Sequence, residues 1–273
     1  MSENDFEWAA CIVYYEDNIA LQNLINDLLN QTLKPSHIYI SDNDSKISPL
    51  INRKEINITI IKLQNNLGFG AAANKAINSA IENKFNKFIL FSQDVLLEND
   101  SCEKMIKQLN LNSGIIFPTM KNRINNKIFS KGGTINKITG KIKLSTKKVP
   151  NNIVWADGSC LCFDNTTFNL LKGFNENFFM YFEDVDFCLR AKLKNIDLIH
   201  VETTASQVPN GPSPYLRSKN SILLSRRSNS KLLRISVTKR NLLGAVLLFA
   251  KFRFNDSKNR FFGVIAGWKA PIE

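Results

Sequence analysis

An α/β domain followed by a basic helical tail is the architecture predicted by this chain of 273 residues. Three observations lead there. Short β-branched and aromatic runs alternate with helical periodicity over roughly the first hundred residues, the pattern of strands covered by helices. An acid-rich aromatic segment, GFNENFFMYFEDVDFCLR at 173–190, follows later and has the composition of a site at the edge of a core. Charge is sharply divided: residues 214–273 hold thirteen Lys or Arg against Asp256 and Glu273, so +11 of the net +12 lies there and the preceding body is nearly neutral. A hydrophobic share of 44% is enough to build a substantial core.

Residues 9–15, ACIVYY in the main, read as a buried strand. A helix is expected over 18–31, where Leu21, Leu24, Ile25, Leu28 and Leu29 share one face, and Pro35 closes it. Residues 37–41 form a second strand running into the turn Asp42, Asn43, Asp44, Ser45. Ligands of open α/β sheets bind beyond the carboxyl ends of strands, so Asp42 is a candidate for a base or ribose hydroxyl; an Asx-turn is the alternative. A third strand, 56–63, leads into NNLGFGAAANKAI, where Gly68 and Gly70 allow a close backbone approach and a helix begins at about 71. Amides at that helix start suit a diphosphate, though a tight packing turn explains the glycines equally well. The next strand, 87–91, ends at Ser92, Gln93 and Asp94, where an acid can hold a divalent cation or start the helix through 102–109.

In the 173–190 segment the apolar run 178–182 is expected to be buried, which sets Glu183, Asp184 and Asp186 where core meets cleft. Such carboxylates can act as bases, or simply favour the N-terminus of a helix over 183–194. Residues 120–150, rich in Lys, Asn and Gly, read as a hairpin excursion with Gly132, Gly133 and Gly140 at turns. A last strand is expected at 196–201. Five cysteines without a C-x-x-C pair, two of them alternating on one strand face at Cys160 and Cys162, read as reduced, packed thiols. The start MSENDFEW has neither the basic region nor the apolar core of a secretory signal and predicts a cytosolic protein.

In order along the chain, these pieces resemble the nucleotide-sugar-dependent glycosyltransferases of the GT-A fold, specifically the large inverting family 2, over about 8–225. The matching segments are the D-N-x-S turn at 42–45, N-x-G-F-G-x-x-x-N at 66–74, Q-D-V at 93–95, W-x-x-G at 155–158 and the 173–190 segment. The Gln-Asp form is most like rhamnosyltransferases. The resemblance implies a Rossmann-like mixed sheet flanked by helices, with a nucleotide-sugar half at about 1–110, an acceptor half at 111–225 and a tail at 226–273. It implies that Asp42, Asn66, Gly68, Asn74, Gln93 and Asp94 serve the donor nucleotide. Asp94 would also reach a divalent metal, Mg²⁺ or Mn²⁺. Ser92 and Gln93 replace two positions of the family's D-x-D motif, which lowers the expected metal affinity. Asp184 would be the general base, with Glu183 supporting it, and Trp155, Asp157, Gly158 and Asp186 would face the acceptor. Arg217 and Lys219 would meet a phosphate. Gln207 stands where relatives often carry a His, and His200 and His37 read as structural.

The tail's longest apolar run, 242–250, is nine residues, against about twenty for a membrane-spanning helix. Its basic and aromatic flanks suit an interfacial helix on anionic lipid; packing on the body or on a second subunit, as in a homodimer, is the alternative. A peripheral position on the inner face of the cell membrane follows, with a surface-polysaccharide or lipid-linked oligosaccharide as acceptor. A non-catalytic nucleotide-sugar or glycan-binding module is the other reading, because Ser92 and Gln207 occupy ligand positions. Nucleic-acid binding is disfavoured: the chain has no regularly spaced aromatics and no recognition module.

Overall fold

The computed structural model describes residues 6–51 and 56–272; the acidic residues 1–5 at the start lie outside them. Strands β1 (Ala9–Tyr14), β2 (His37–Asp42), β3 (Asn57–Lys62) and β4 (Lys87–Ser92) are parallel neighbours in the order β3-β2-β1-β4. They are linked by α1 (Asn18–Leu29) and α2 (Phe69–Glu82). Alternation along β1 explains why both faces need cover. Ala9, Cys11 and Val13 enter one apolar cluster with Ala72, Ala73, Ala76 and Ile77 of α2. Ala10, Ile12 and Tyr14 enter the other with Leu21, Leu24, Ile25 and Leu28 of α1.

Beyond β4 the sheet changes direction. β5 (Leu96–Leu97) and α3 (Ser101–Leu111) precede β6 (Ile115–Asn122), β7 (Ile128–Ser130), β8 (Gly133–Ile135) and β9 (Ile142–Leu144). β10 (Cys160–Asp164) then inserts antiparallel between β4 and β6. Because β10 runs backwards, its beginning lies beside the end of β4: Cys160 pairs with Phe91, and the Ser92 amide donates to the Ser159 carbonyl at 2.9 Å. Asp94 and Asp157, far apart in sequence, are thus delivered to one end of the sheet. The result is a mixed nine-stranded sheet flanked by helices.

α4 (Asn165–Leu171) and α5 (Glu183–Leu193) lead to β11 (Leu198–Gln207), which pairs parallel with β6. β11 runs past the expected end at residue 201. A register shift between His200 and Thr204 lets its second half pair with both β6 and β5, which the polar sequence VETTASQ does not advertise. The 120–150 excursion divides into β7, paired with β6, and a separate β8–β9 hairpin; Gly133 lies in β8 and does not turn, whereas Gly132 and Gly140 have positive φ. The five cysteines are free and buried. His37 meets the Thr59 hydroxyl at 2.8 Å and stacks on Tyr39, and His200 meets the Thr119 hydroxyl at 2.8 Å.

α6 (Pro214–Arg226), α7 (Lys231–Ala250) and α8 (Phe254–Lys269) pack as a group. Gly263 and Gly267 face the Tyr215 and Lys219 carbonyls so closely that a Cβ at either would collide with backbone, so α8 lies directly on α6. Arg226 Nη1 donates to the Gly267 and Ala270 carbonyls at 2.7 Å, closing the end of α8. Gly140, at the hairpin tip, abuts Leu233 and Val237 of α7. Among the described residues no helix is long and apolar enough to cross a membrane.

Candidate active site

A cleft of about 570 Å³ opens at the end of the sheet where β4 and β10 meet. Asp94, Asp157, Glu183 and Asp184 stand on its wall, and Trp155, Gln207 and Arg217 line it with them. The chain reaches this arrangement through the start of α5. Tyr181 and Phe182 both take positive φ, at 67° and 74°, and turn the segment sharply into the helix. Three acids in the first turn then lie near the positive end of the helix dipole.

Asp184 is held by two amides. Gly158 N donates to Oδ2 at 3.1 Å and Val185 N to Oδ1 at 2.8 Å. A Cβ on Gly158 would sit 2.8 Å from the Asp184 Cβ, so glycine is what lets this carboxylate reach its place. Burial, then the charge of Asp157, raise its pKa to about 7, while the nearby Trp155 indole and the two amides hold it down. Glu183 is buried, its Oε2 has no hydrogen-bond partner among the described residues, and burial followed by the charge of Asp184 pushes its pKa well up. Asp157 accepts from the Ser159 amide at 3.0 Å and hydroxyl at 2.5 Å; burial raises its pKa and the neighbouring Asp94 adds to the rise. Asp157, Glu183 and Asp184 therefore lie close together where burial raises the pKa of each.

The other predicted residues divide clearly. Asp42 is buried; its Oδ1 accepts from the Ser45 amide at 3.0 Å, forming the Asx-turn, and its Oδ2 has no partner among the described residues. Asn66, Asn43 and Gly68 bond mainly to one another: Asn43 Nδ2 donates to Asn66 Oδ1, which also accepts from Gly68 N, both at 3.0 Å. The space expected for a ligand at Gly68 and Gly70 is filled by the chain itself. The Phe179 backbone occupies the Cβ position of Gly68, and Phe174 and Glu183 lie against Gly70.

Three of the expected site residues are engaged by the chain itself. Asn74 is buried, and both ends of its amide are engaged, donating to the Phe174 carbonyl at 2.9 Å and Glu176 Oε1 at 3.0 Å and accepting from Phe174 N at 2.8 Å. It fastens the 173–176 turn to α2. Gln93 bonds both ways to the Tyr15 backbone, at 2.6 and 2.9 Å, tying the ends of β1 and β4. Asp186 is buried between Arg190 Nε at 2.6 Å and Arg227 Nε at 2.9 Å and does not line the cleft. The run 178–182 is also less buried than expected: only Phe178 is fully buried, Phe179 and Met180 are exposed, and Met180, Tyr181 and Phe182 line the cleft. Lys219 does not line the cleft, because residues two apart on a helix point to different sides; Arg217 does.

Sequence reasoning missed Asn220, whose Nδ2 donates to the Met180 and Tyr181 carbonyls at 2.8 Å and so fixes the entry to α5. An Asn in a helix interior carries no signal of such a role. It also missed the apolar wall that Phe69, Phe129, Ile142 and Leu144 build around the acids.

Among the described residues no three Asp, Glu, His or Cys side chains converge on one point, so an all-protein metal cage is not present. The donor set does fit a hard divalent ion held through Asp94, which faces the cleft with its Oδ1 accepting from Ser92 Oγ at 2.6 Å and with Asp157 nearby. Such ions commonly take one or two carboxylates and complete their shell with phosphates and water.

A mixed sheet whose parallel half ends against an antiparallel insertion, with acids at the junction, defines a GT-A-like fold. Residues 10–165 match the family described as glycosyl transferase family 2, and the chain belongs to that family. Among curated proteins it is similar to the low-salt glycan biosynthesis hexosyltransferase Agl10 of Haloferax volcanii, 42% identical over 43 residues, which is 16% of this chain and 14% of that one. A crystal structure of GalNAc-T7 with UDP, GalNAc and Mn²⁺ superposes with a TM-score of 0.67 at 12% identity, covering 88% of this chain and 51% of that one. TarS of S. aureus, residues 1–349 with UDP-GlcNAc, gives a TM-score of 0.58 at 15% identity over 91% of this chain and 73% of that one. The chain thus spans about half of GalNAc-T7 and a small part of the curated relative.

Proposed function

We propose that the protein is an inverting glycosyltransferase that moves a hexose, with rhamnose as the first candidate, from a nucleotide sugar to a hydroxyl of a surface-polysaccharide or lipid-linked oligosaccharide acceptor. The observation that carries this reading is Asp184: a carboxylate fixed by two amides, in a cleft, with a pKa near 7. That is the value a general base needs at neutral pH. Family membership and a neighbour containing UDP, GalNAc and Mn²⁺ support the donor class.

In this mechanism Asp184 takes the proton of the acceptor hydroxyl as that oxygen forms a bond to the anomeric carbon. The bond from that carbon to the diphosphate oxygen breaks on the opposite side, which inverts the centre. The half-free Asp42 meets the nucleoside through Oδ2, and Trp155 and Tyr181 bound the acceptor side. Glu183, its pKa pushed well up by burial and then by the charge of Asp184, stands beside the base. Arg217 faces the departing diphosphate. A Mg²⁺ or Mn²⁺ ion at Asp94 would supply neutralisation of diphosphate charge.

The tail is read as a seat on an anionic bilayer. At the α7–α8 turn Phe249, Phe252 and Phe254 cluster with ring centroids 5.0 and 6.1 Å apart, all exposed, beside Lys251, Arg253 and Lys258. Aromatic tips amid cations suit the headgroup boundary of acidic lipids. Co-sedimentation with vesicles containing phosphatidylglycerol, lost on replacing the three Phe by Ser, is the expected result. Binding to neutral vesicles alone, or a concentration-dependent dimer that buries these rings, overturns it.

The functional test is release of nucleoside diphosphate from a panel of nucleotide sugars that includes dTDP-rhamnose, with a lipid-extract acceptor, with and without Mg²⁺ or Mn²⁺. One donor is expected to turn over with the native protein and not with Asp184→Asn. Binding of a donor without turnover under any acceptor would favour the non-catalytic module, for which Gln207 in the cleft is the structural argument.

A further inference from the structure

The C-terminal helices carry one arginine at the cleft and two more close to it. Arg217, in the first turn of α6, lines the cleft; Arg260 of α8 is tied through Asn241 of α7 to Ser218, the residue next to Arg217, and Arg240 precedes that Asn241 in the chain. Arg240 reaches the β8–β9 hairpin and Arg260 reaches back onto α7. Arg240 Nη1 donates to the Thr139 carbonyl at the hairpin tip at 2.6 Å, and Arg260 Nη2 donates to Asn241 Oδ1 at 3.3 Å. Asn241 is itself held by Ser218 and Ser221 of α6, so Arg260 is set against a fixed support. The Arg260 guanidinium lies against Gly244, where a Cβ would overlap it.

No carboxylate answers this charge. Among the described residues none of the three arginines is in an ion pair, the Arg217 guanidinium has no hydrogen bond, and Arg260 Nε is buried without a partner. Arg240 and Arg260 are each desolvated and each repelled by Arg217, which lowers the pKa of both. Holding two half-buried like charges near a third, exposed one is unfavourable unless something negative joins them. Guanidinium forks match phosphate oxygens two at a time.

We propose that Arg217, Arg240 and Arg260 form a subsite for a phosphate or diphosphate group at the rim of the cleft, which makes the C-terminal helices part of the substrate site. The inference deepens the transferase reading, but anion binding here does not require turnover. The group has two sources, the diphosphate of the donor or a phosphate carried by the acceptor.

The test is calorimetric titration of the full chain with inorganic pyrophosphate at low salt. Native protein is expected to bind, and the Arg240→Gln/Arg260→Gln double variant to bind roughly tenfold or more weakly, the scale of lost charge-assisted hydrogen bonds. Gly244→Ala keeps every charge and displaces only Arg260, so its affinity should fall between the two. Thermal melts check folding; because the substitutions relieve repulsion, the double variant should melt no lower than the native protein. Repeating the titration with saturating UDP or dTDP separates the sources: loss of pyrophosphate binding identifies the donor diphosphate, and retention identifies an acceptor phosphate. Absence of binding to the native protein, or equal binding by a folded double variant, overturns the subsite. Asp184→Asn should bind pyrophosphate like the native chain; if it does while no donor turns over in any variant, the subsite stands and the transferase reading fails.

Discussion

The loop from Asn66 to Asn74 and the cleft wall from Asp157 to Asp184 both place polar residues near the end of the sheet, yet they behave oppositely. In the first, Asn43, Asn66 and Asn74 meet their hydrogen-bonding needs within the chain, and Gly68 admits the Phe179 backbone. In the second, Glu183 Oε2 is left over, Asp157 raises the pKa of Asp184, and Asp94 raises that of Asp157. Buried polar groups are normally partnered, so the imbalance points to where a ligand completes the set. A motif marks both regions as special; only the hydrogen bonds say which one frames the site and which one is the site.

The strongest challenge to this contrast is Asp184→Asn. Transfer should fall by about 10²- to 10⁴-fold, the usual contribution of a general base, while the melting temperature at pH 8 stays at or above native, because a repelled buried charge is removed. A collapse of stability in calorimetry would make Asp184 a structural residue like those of the loop. The same group sets the pH profile. Below about pH 7 the Asp184 carboxyl is neutral and cannot accept a proton, so the rate should drop about tenfold per pH unit there. Stability runs the other way. A folded pKa above the unfolded value favours the folded state at low pH, and that advantage is lost as pH rises through about 7. A native protein that keeps full rate at pH 5 would remove Asp184 from the role.

Asn74→Ala tests the opposite region. Two ends of one buried amide lose their partners, and unfolding should become easier by roughly 2–4 kcal/mol, while donor affinity changes less than about threefold. Weakened donor binding with native stability would return Asn74 to the ligand. The smallest effect is expected at Asp42→Asn, which keeps the Asx-turn oxygen and alters only the unpartnered Oδ2. Nucleoside diphosphate affinity should fall about tenfold in titration with the melting point almost unmoved.

Much of the scaffold is legible in the sequence because local patterns decide it. Alternation marks β1 for burial on two faces, helical spacing marks α1, and the acids at the start of α5 fall on a helix end. The positions of Asp94, Asp157, Glu183 and Asp184 follow once the strands are ordered. What escapes is anything fixed by contacts distant in the chain. Asn74 reaches across a hundred residues to Phe174, Asp186 is claimed by Arg227, and Gln93 is claimed by Tyr15. The 178–182 run looks like core by composition, but successive left-handed residues turn it over the cleft. The arginine trio is invisible for the same reason, since its members are spread over α6, α7 and α8 and meet only when Gly263 and Gly267 let two of those helices touch.

The chain holds three tryptophans, and they lie in three surroundings: Trp8 fully buried in the core, Trp155 at the cleft beside Asp184, and Trp268 partly exposed on α8 against Arg226. Each is therefore a built-in optical probe for a different event. Quenching from Trp155 would follow occupancy of the cleft, a blue shift from Trp268 would follow transfer of the tail to an apolar surface, and Trp8 would stay silent until the whole domain melts. Phe replacements that leave one indole at a time would let unlabelled protein show in which order these events occur.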